Sequence, residues 1–515
     1  MRHRIRQSHL IILNGVIIWV ARILLLFPQL ILLPYLIGTI GESGYGVYAL
    51  IWSLMMSIEQ LHSSLQSGVV KYSAAFLAQG RTGEVNKVVS SSFVYSLLLA
   101  VLACVGTLIV AVVYNDPSGQ ISTALYVVGL MILFILPLTP YIAVIQSRQL
   151  YYVGAIAETI SKYIGLLAVV IWFSIVRPSV VALIIIMAGM LLLSRLAQIP
   201  FAYRLLPGLR NSFRLFDRTS FRLIVAFGAT MVLVSICITV NSTGIRWLMD
   251  SLVSTSFVTH LVIMLMPGLL LSQIIGAMTI TIMPATSAYE ATGNQRMLQE
   301  LLIRGMRYTM ILVLAGLFVA GLLMRNLLSI WLGPNYVFLA PYALVLFASM
   351  SFMISTSVAH HMLKGMGKLK VVVFIYGFGF VIVPIGLLLI IFQIWHDPYI
   401  AVVVGLAMGY LVCGFLQMGF CTKIIHVDLH SVLIRVYAQP VIVAIAVCVV
   451  IISIITISGI DYLFERICIS ALAILLFFSG CYAIIATTTE RQQVKGVIQL
   501  AKRKITLNRK KPEAN

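Results

Sequence analysis

Carboxylates are scarce in this chain: 15 Asp and Glu stand against 35 Lys and Arg in 515 residues, and charged residues of both signs make up only 10%. Soluble domains carry about 25% charged residues. With 61% hydrophobic residues, this composition excludes a water-soluble fold and places most of the chain inside a bilayer. Long polar segments are missing too. No stretch between apolar runs could hold an extramembrane domain, so function has to reside in the spans. The seven cysteines fall within or at the ends of apolar runs, with no C-x-x-C pair and no His at ligand spacing. They read as small hydrophobes rather than a disulfide or metal framework. The start, MRHRIRQSHLIILNG, is basic like a signal peptide but lacks a small-residue cleavage site, which predicts an uncleaved first span.

What is present is a succession of apolar runs. A hydrocarbon core of about 30 Å takes about 20 helical residues per crossing, and the runs between residues 9 and 487 give about fourteen crossings. The fold class is therefore all-α, a polytopic membrane protein. Lys and Arg test the count, because they accumulate on the cytoplasmic side. With the N-terminus inside, 28 of the 35 fall on one side, including the tail; Arg177, Arg246, Arg325 and Arg466 fall on the other, and Arg22, Lys162 and Arg195 stay within spans. That bias also argues against nucleic acid as the reason for a net charge of +20. At an offset of 213 residues, Ala75, Ala78 and Gly80 align with Ala288, Ala291 and Gly293. The expected organisation is a six-helix lobe at 1–202, a basic cytoplasmic linker at 203–221, a second six-helix lobe at 222–421, an appended helix pair at 422–487 and a basic cytoplasmic tail at 488–515. Six spans per repeat preserve orientation, and transport sites in such proteins lie between the lobes.

The second span, within 44–71, is apolar in its first half and polar in its second. At about 100° per residue Glu59, His62, Ser63 and Gln66 share one arc. A carboxylate at membrane depth faces a bundle interior or a water-filled cavity, so this helix is expected to line one. Arg22 sits mid-span with Asn14 and Gln29 on the same face, and Glu59 is a neighbour at similar depth, either in an ion pair or beside an anionic substrate. Glu158 and Lys162 stand at i, i+4 on the fifth span, the spacing of an internal salt bridge or of a shared substrate contact. Arg195, near the inner end of the sixth span, can reach the interface or the cavity. Arg246, at the outer end of the seventh, reads as a boundary charge or as a contact that greets a substrate on the far side. Gly405-x-x-x-Gly409 fits close helix packing. The candidate substrate-binding set is Arg22, Glu59, His62, Gln66, Glu158, Lys162 and Arg195, with no catalytic residues, metal or cofactor.

The stretches LPYLIGTIGESGYGVYAL, KYSAAFLAQGRTGEVNKVV, LLSIWLGPNYVFLAPYALVLF and HHMLKGMGKLKVVV resemble the polysaccharide-export flippases, the Wzx-type O-antigen proteins of the multidrug/oligosaccharidyl-lipid/polysaccharide superfamily. The resemblance covers roughly the first 425 residues and implies a transporter rather than an enzyme. It implies a bacterial cytoplasmic-membrane protein with both termini inside that flips an undecaprenyl-diphosphate-linked oligosaccharide to the outer leaflet by alternating access. It further implies membrane lipid as surroundings, H⁺ or Na⁺ as coupling ion, and a polysaccharide polymerase with its chain-length machinery as partners. Arg22, Lys162 and Arg195 would supply the family's cationic cavity, and a groove beside the appended spans would keep the lipid tail in the bilayer. A cation-coupled multidrug exporter of the same superfamily is the nearest rival, disfavoured by three embedded cations against two embedded acids. A polymerase or lipid-linked glycosyltransferase is a second, disfavoured by short outer loops.

Overall fold

Gly41 sets the first turn of the fold. It adopts φ +76° inside a continuous run of helix, α1 (Arg2–Ala78), a backbone region that residues with a Cβ avoid. Arg22 and Glu59 are 37 positions apart, about 55 Å on a straight helix at 1.5 Å per residue, yet both line one cavity. The chain therefore doubles back near Gly41, and α1 supplies two crossings.

The computed structural model describes residues 2–114, 119–279, 282–458 and 463–484. The tail 488–515 lies outside the described residues, as does the side chain of Asn14. After α1 come α2 (Thr82–Val113), α3 (Gln120–Ile135), α4 (Thr139–Ser147), α5 (Tyr151–Ile175) and α6 (Val180–Leu205). The second half contains α7 (Arg218–Thr239), α8 (Ile245–Leu252), α9 (Thr255–Thr279), α10 (Ile282–Ala291), α11 (Gln295–Trp331), α12 (Ala340–Ser355), α13 (Ser357–Gly365), α14 (Leu369–Tyr376), α15 (Val383–Trp395) and α16 (Pro398–Ile425). The short α17 (Leu429–Val432), then α18 (Gln439–Ser458) and α19 (Leu463–Ile484) follow. Thirteen of the described helical stretches are long and apolar enough to cross a membrane. The first, Val20–Leu77, bends at Gly41 and crosses twice. The protein is a multi-pass, all-helical membrane protein.

Several crossings are joined from two helices rather than one. Pro137 and Pro140 tighten the junction of α3 and α4, where a proline removes a backbone donor. π-helical turns at Val240–Gly244 and Gly377–Ile382 join α7 to α8 and α14 to α15. Asn241, in the first of these, donates to the Phe380 carbonyl in the second at 3.2 Å.

The two halves meet along α1. Its second leg runs beside α7: Ser57 shares a 2.7 Å hydrogen bond with Thr243, Ser64 one of 2.6 Å with Ser235, and a Cβ on Gly68 would touch the Ile224 backbone at 3.2 Å. Its first leg receives the Trp331 indole on the Leu30 carbonyl at 2.6 Å. The segment between α6 and α7 is pinned to α2, with Asn86 donating to the Gly208 carbonyl and accepting from the Arg210 amide. The last two long helices pack on α11 through Phe318 and Phe477, ring centroids 5.3 Å apart.

Candidate functional site

The embedded charges converge. A cavity of about 270 Å³ is lined by Arg22 on the first leg of α1, Glu59 on the second, Glu158 and Lys162 on α5, and Arg195 on α6, with Gln146 and Gln198 completing its polar wall. Every lining group comes from α1, α4, α5 and α6. The chamber thus lies within the first half of the chain and not between the halves as the repeat pattern predicted. The reason is that α1, bent at Gly41, and α5 each turn their polar face inward onto the same space.

The charge pairing differs from the sequence expectation. Glu59 is ion-paired with Arg195, and Arg22 has no ion-pair partner among the described residues. Arg195 does not reach for the interface, because a half-buried carboxylate meets it inside. Lys162 lies 3.5 Å from Glu158 in the i, i+4 pair read from the sequence. Two carboxylates balance two of three cations, which leaves Arg22 to give the chamber a net positive charge.

His62 and Gln66 line a smaller adjoining cavity of about 230 Å³, which shares Met56, Glu59 and Arg195 with the first. The His62 ring is nearly fully buried, 2.7 Å from the Ser96 hydroxyl and stacked on Tyr95. It therefore couples the second leg of α1 to α2. Gln66 donates to Gln146 at 3.3 Å.

A third cavity, of about 240 Å³, does bridge the halves. Gln29, Tyr45, Tyr48, Trp52 and Lys162 face Arg246, Val262 and Met266 across it. It shares Trp52, Lys162 and Met187 with the cationic chamber. Arg246 is thus no boundary charge. The π-helical turn lies before it and the helix runs on past it to Leu252, so its guanidinium sits inside, where its Nε is buried without a hydrogen-bond partner among the described residues. Sequence reading left this residue out of the candidate set because it counted distance from the loop.

On its other side the chamber adjoins the surface. An apolar groove of about 390 Å³ runs along α5 and α6 past Ile156, Ile160, Leu193 and Phe201, and shares Ser161, Met190, Ser194 and Gln198 with the chamber wall. The helices touch where Ser161 donates to the Met190 carbonyl at 2.5 Å and Gly165 admits the Met187 and Met190 side chains. Towards Gly154 only Gln198 fills the gap. The Gln198 side-chain oxygen is buried there with no partner among the described residues, although its amide nitrogen donates to the Ser194 carbonyl. The groove next to the charged site therefore belongs to α5 and α6, not to the appended pair.

No protein-family model matches the chain, and no curated protein matches it in sequence. Solved structures match its fold. An inward-facing multidrug resistance MATE family transporter of the MOP superfamily superposes with a TM-score of 0.62 at 14% identity, covering 79% of this chain and 98% of that one. A variant of a Vibrio cholerae MATE transporter gives 0.63 at 10% identity, covering 82% and 98%. A MOP superfamily transporter from Pyrococcus furiosus, described by the reversed polarity of its binding pocket, gives 0.62 at 13% identity over 80% and 95%. At these identities the likeness is one of fold.

Proposed function

We propose that this protein is a flippase for an undecaprenyl-diphosphate-linked oligosaccharide, moving it from the inner to the outer leaflet of a bacterial cytoplasmic membrane for surface polysaccharide synthesis. One observation carries the reading: a chamber with a net positive charge shares a wall with an apolar groove open to the bilayer. An amphiphile with an anionic, hydroxyl-rich head and a long tail needs both solvents side by side. Arg22, with Lys162 and Arg195, meets the diphosphate, since guanidinium groups match phosphate oxygens in bidentate geometry. The partnerless Gln198 oxygen accepts a sugar hydroxyl. The tail stays along α5 and α6 and never leaves hydrocarbon. Such a head cannot cross about 30 Å of hydrocarbon unaided, because each unpaired polar group would lose its water.

Alternating access supplies the path. In this reading the lobes 1–202 and 222–421 rock about the contact of α1 with α7 and α9, and the interlobe cavity with Arg246 takes the head when the far end opens. Inward-facing and outward-facing conformations both occur among the similar solved structures. Glu59 or Glu158 is the carboxylate that binds a coupling H⁺ or Na⁺. A polymerase and its chain-length machinery would receive the product.

A second reading, export of cationic drugs, draws on the multidrug transporters that share the fold. It calls for an excess of acid in the chamber, whereas Arg22 tips this one the other way. The Pyrococcus protein, described by a pocket of reversed polarity, is an instance of the same fold with altered charge.

The test is reconstitution in liposomes, comparing leaflet exchange of a lipid-linked oligosaccharide with efflux of a cationic dye. Exchange of the glycolipid alone is expected, and Ala197→Trp, which fills the groove, is expected to slow it at least tenfold. Dye efflux without glycolipid exchange overturns the proposal.

A further inference from the structure

α11 is too long for one crossing. Its 37 residues span about 55 Å at 1.5 Å per residue, against about 40–45 Å for a bilayer with its headgroups. Its first turns, which bear Arg296, Arg304 and Arg307, therefore stand at headgroup level. There a pocket of about 520 Å³ opens between α11 and the start of the appended helices, with Arg435 and Gln439 as its far wall.

The charges in this pocket do not balance. Among the described residues Glu300 is the only carboxylate lining it, and that carboxylate is divided between Arg296, at 3.3 Å, and Arg304, at 3.2 Å. Arg296, Arg304 and Arg435 thus set three guanidinium groups against one acid. Arg307, only 6% exposed, closes the inner wall. The pocket shares no residue with the cationic chamber.

We propose that this pocket binds the phosphodiester headgroup of an anionic membrane phospholipid, which ties α18 to α11. Guanidinium forks bind phosphate oxygens, and basic pockets between spans on the positively charged side hold anionic headgroups. The position selects a lipid over a soluble phosphate, because apolar helix surface continues from the pocket. Ile442 and Ile445 of α18 are well exposed beyond Arg435 and Gln439, and lie where acyl chains would run. The inference is independent of what the chamber carries.

The experiment uses the full chain in detergent, titrated with phosphatidylglycerol, phosphatidylcholine, or inorganic phosphate at matched ionic strength. Thermal unfolding and native mass spectrometry are the readouts. Phosphatidylglycerol is expected to raise the midpoint by several degrees and to remain bound, and the other two are not. The double variant Arg304→Gln/Arg435→Gln is expected to weaken lipid retention at least tenfold. Arg435→Lys alone, an exposed position that keeps the charge and loses the fork, gives an intermediate loss if the double variant does not fold. Arg210→Gln/Arg214→Gln, on the distant loop, is expected to change nothing. Equal protection by phosphatidylcholine or by phosphate, or equal loss from the distant variant, overturns the proposal.

Discussion

The Tyr336 phenol donates a 2.6 Å hydrogen bond to the Glu42 carboxylate, joining the second half of the chain to the first beside the bend of α1. The other carboxylate oxygen lies 3.5 Å from His260 Nε2, and His260 Nδ1 lies 2.8 Å from the Tyr399 hydroxyl. Thr259 donates to the Glu42 backbone carbonyl at 2.7 Å. These bonds tie the two halves together at the end opposite the basic loops, where Glu42 supplies the acceptors.

If that cluster is a latch, Tyr336→Phe weakens closure without unfolding the protein. A hydrogen bond to a charged group contributes about 1.5 kcal/mol or more, so the ratio of open to closed forms should rise roughly tenfold. Spin labels at Ser43 and Ser254, in a background without native cysteines, report it. A longer-distance population that grows in Tyr336→Phe and grows further in Glu42→Gln is expected. Identical distance distributions refute the latch.

Gly46 makes the same point by shape. A Cβ there would overlap the Thr255 carbonyl oxygen, a backbone atom that cannot swing aside. Gly46→Ala should therefore hold the halves apart by an overpacking cost of about 1–3 kcal/mol. Transport falls while expression persists, and the Ser43–Ser254 distance lengthens. A variant that closes normally shows that the two backbones do not need to meet.

The chamber charges separate into structural and free. Arg195→Gln leaves Glu59 without its ion-pair partner, and breaking a buried pair costs about 3–5 kcal/mol, less here because both groups keep some solvent contact. Arg22→Gln removes a cation without an ion-pair partner among the described residues and should leave the melting midpoint unchanged. Expected results are a lowered midpoint for Arg195→Gln, partial recovery in Arg195→Gln/Glu59→Gln, and a transport loss of at least tenfold for Arg22→Gln at normal stability. Normal transport by Arg22→Gln removes it from the substrate path.

Features encoded along one helix were legible. The bend between the first two crossings, the polar face of the second and the Glu158–Lys162 pair follow from periodicity and spacing alone. The alignment of Gly80 with Gly293 also has a structural counterpart. Both take positive φ, 71° and 65°, and both end a helix with the same bond pattern, Arg81 N–H to Phe76 O and Asn294 N–H to Tyr289 O at 2.9 Å each. Gly405 and Gly409 are where helices touch, with Cβ positions 2.7 Å from the Pro384 carbonyl and 2.6 Å from that of Gly379. Partner choice between distant helices was not legible. Nothing local makes Glu59 choose Arg195, 136 positions away, over Arg22. Nor does hydropathy reveal a π-helical turn, which is what carried Arg246 inward.

Arg246 is the sharpest case, because stability and transport should move in opposite directions there. It lines the interlobe cavity with Lys162, and its Nε has no hydrogen-bond partner among the described residues, so the native fold bears a desolvation cost that a neutral side chain would not. Residues kept at such a cost are those that function requires. Arg246→Gln should thus raise the unfolding midpoint by a few degrees and reduce glycolipid exchange at least tenfold, with Arg246→Lys intermediate in exchange. The two measurements are made on the same preparation. A variant that loses stability has lost an internal partner, and one that keeps full exchange shows that the head never visits the interlobe cavity.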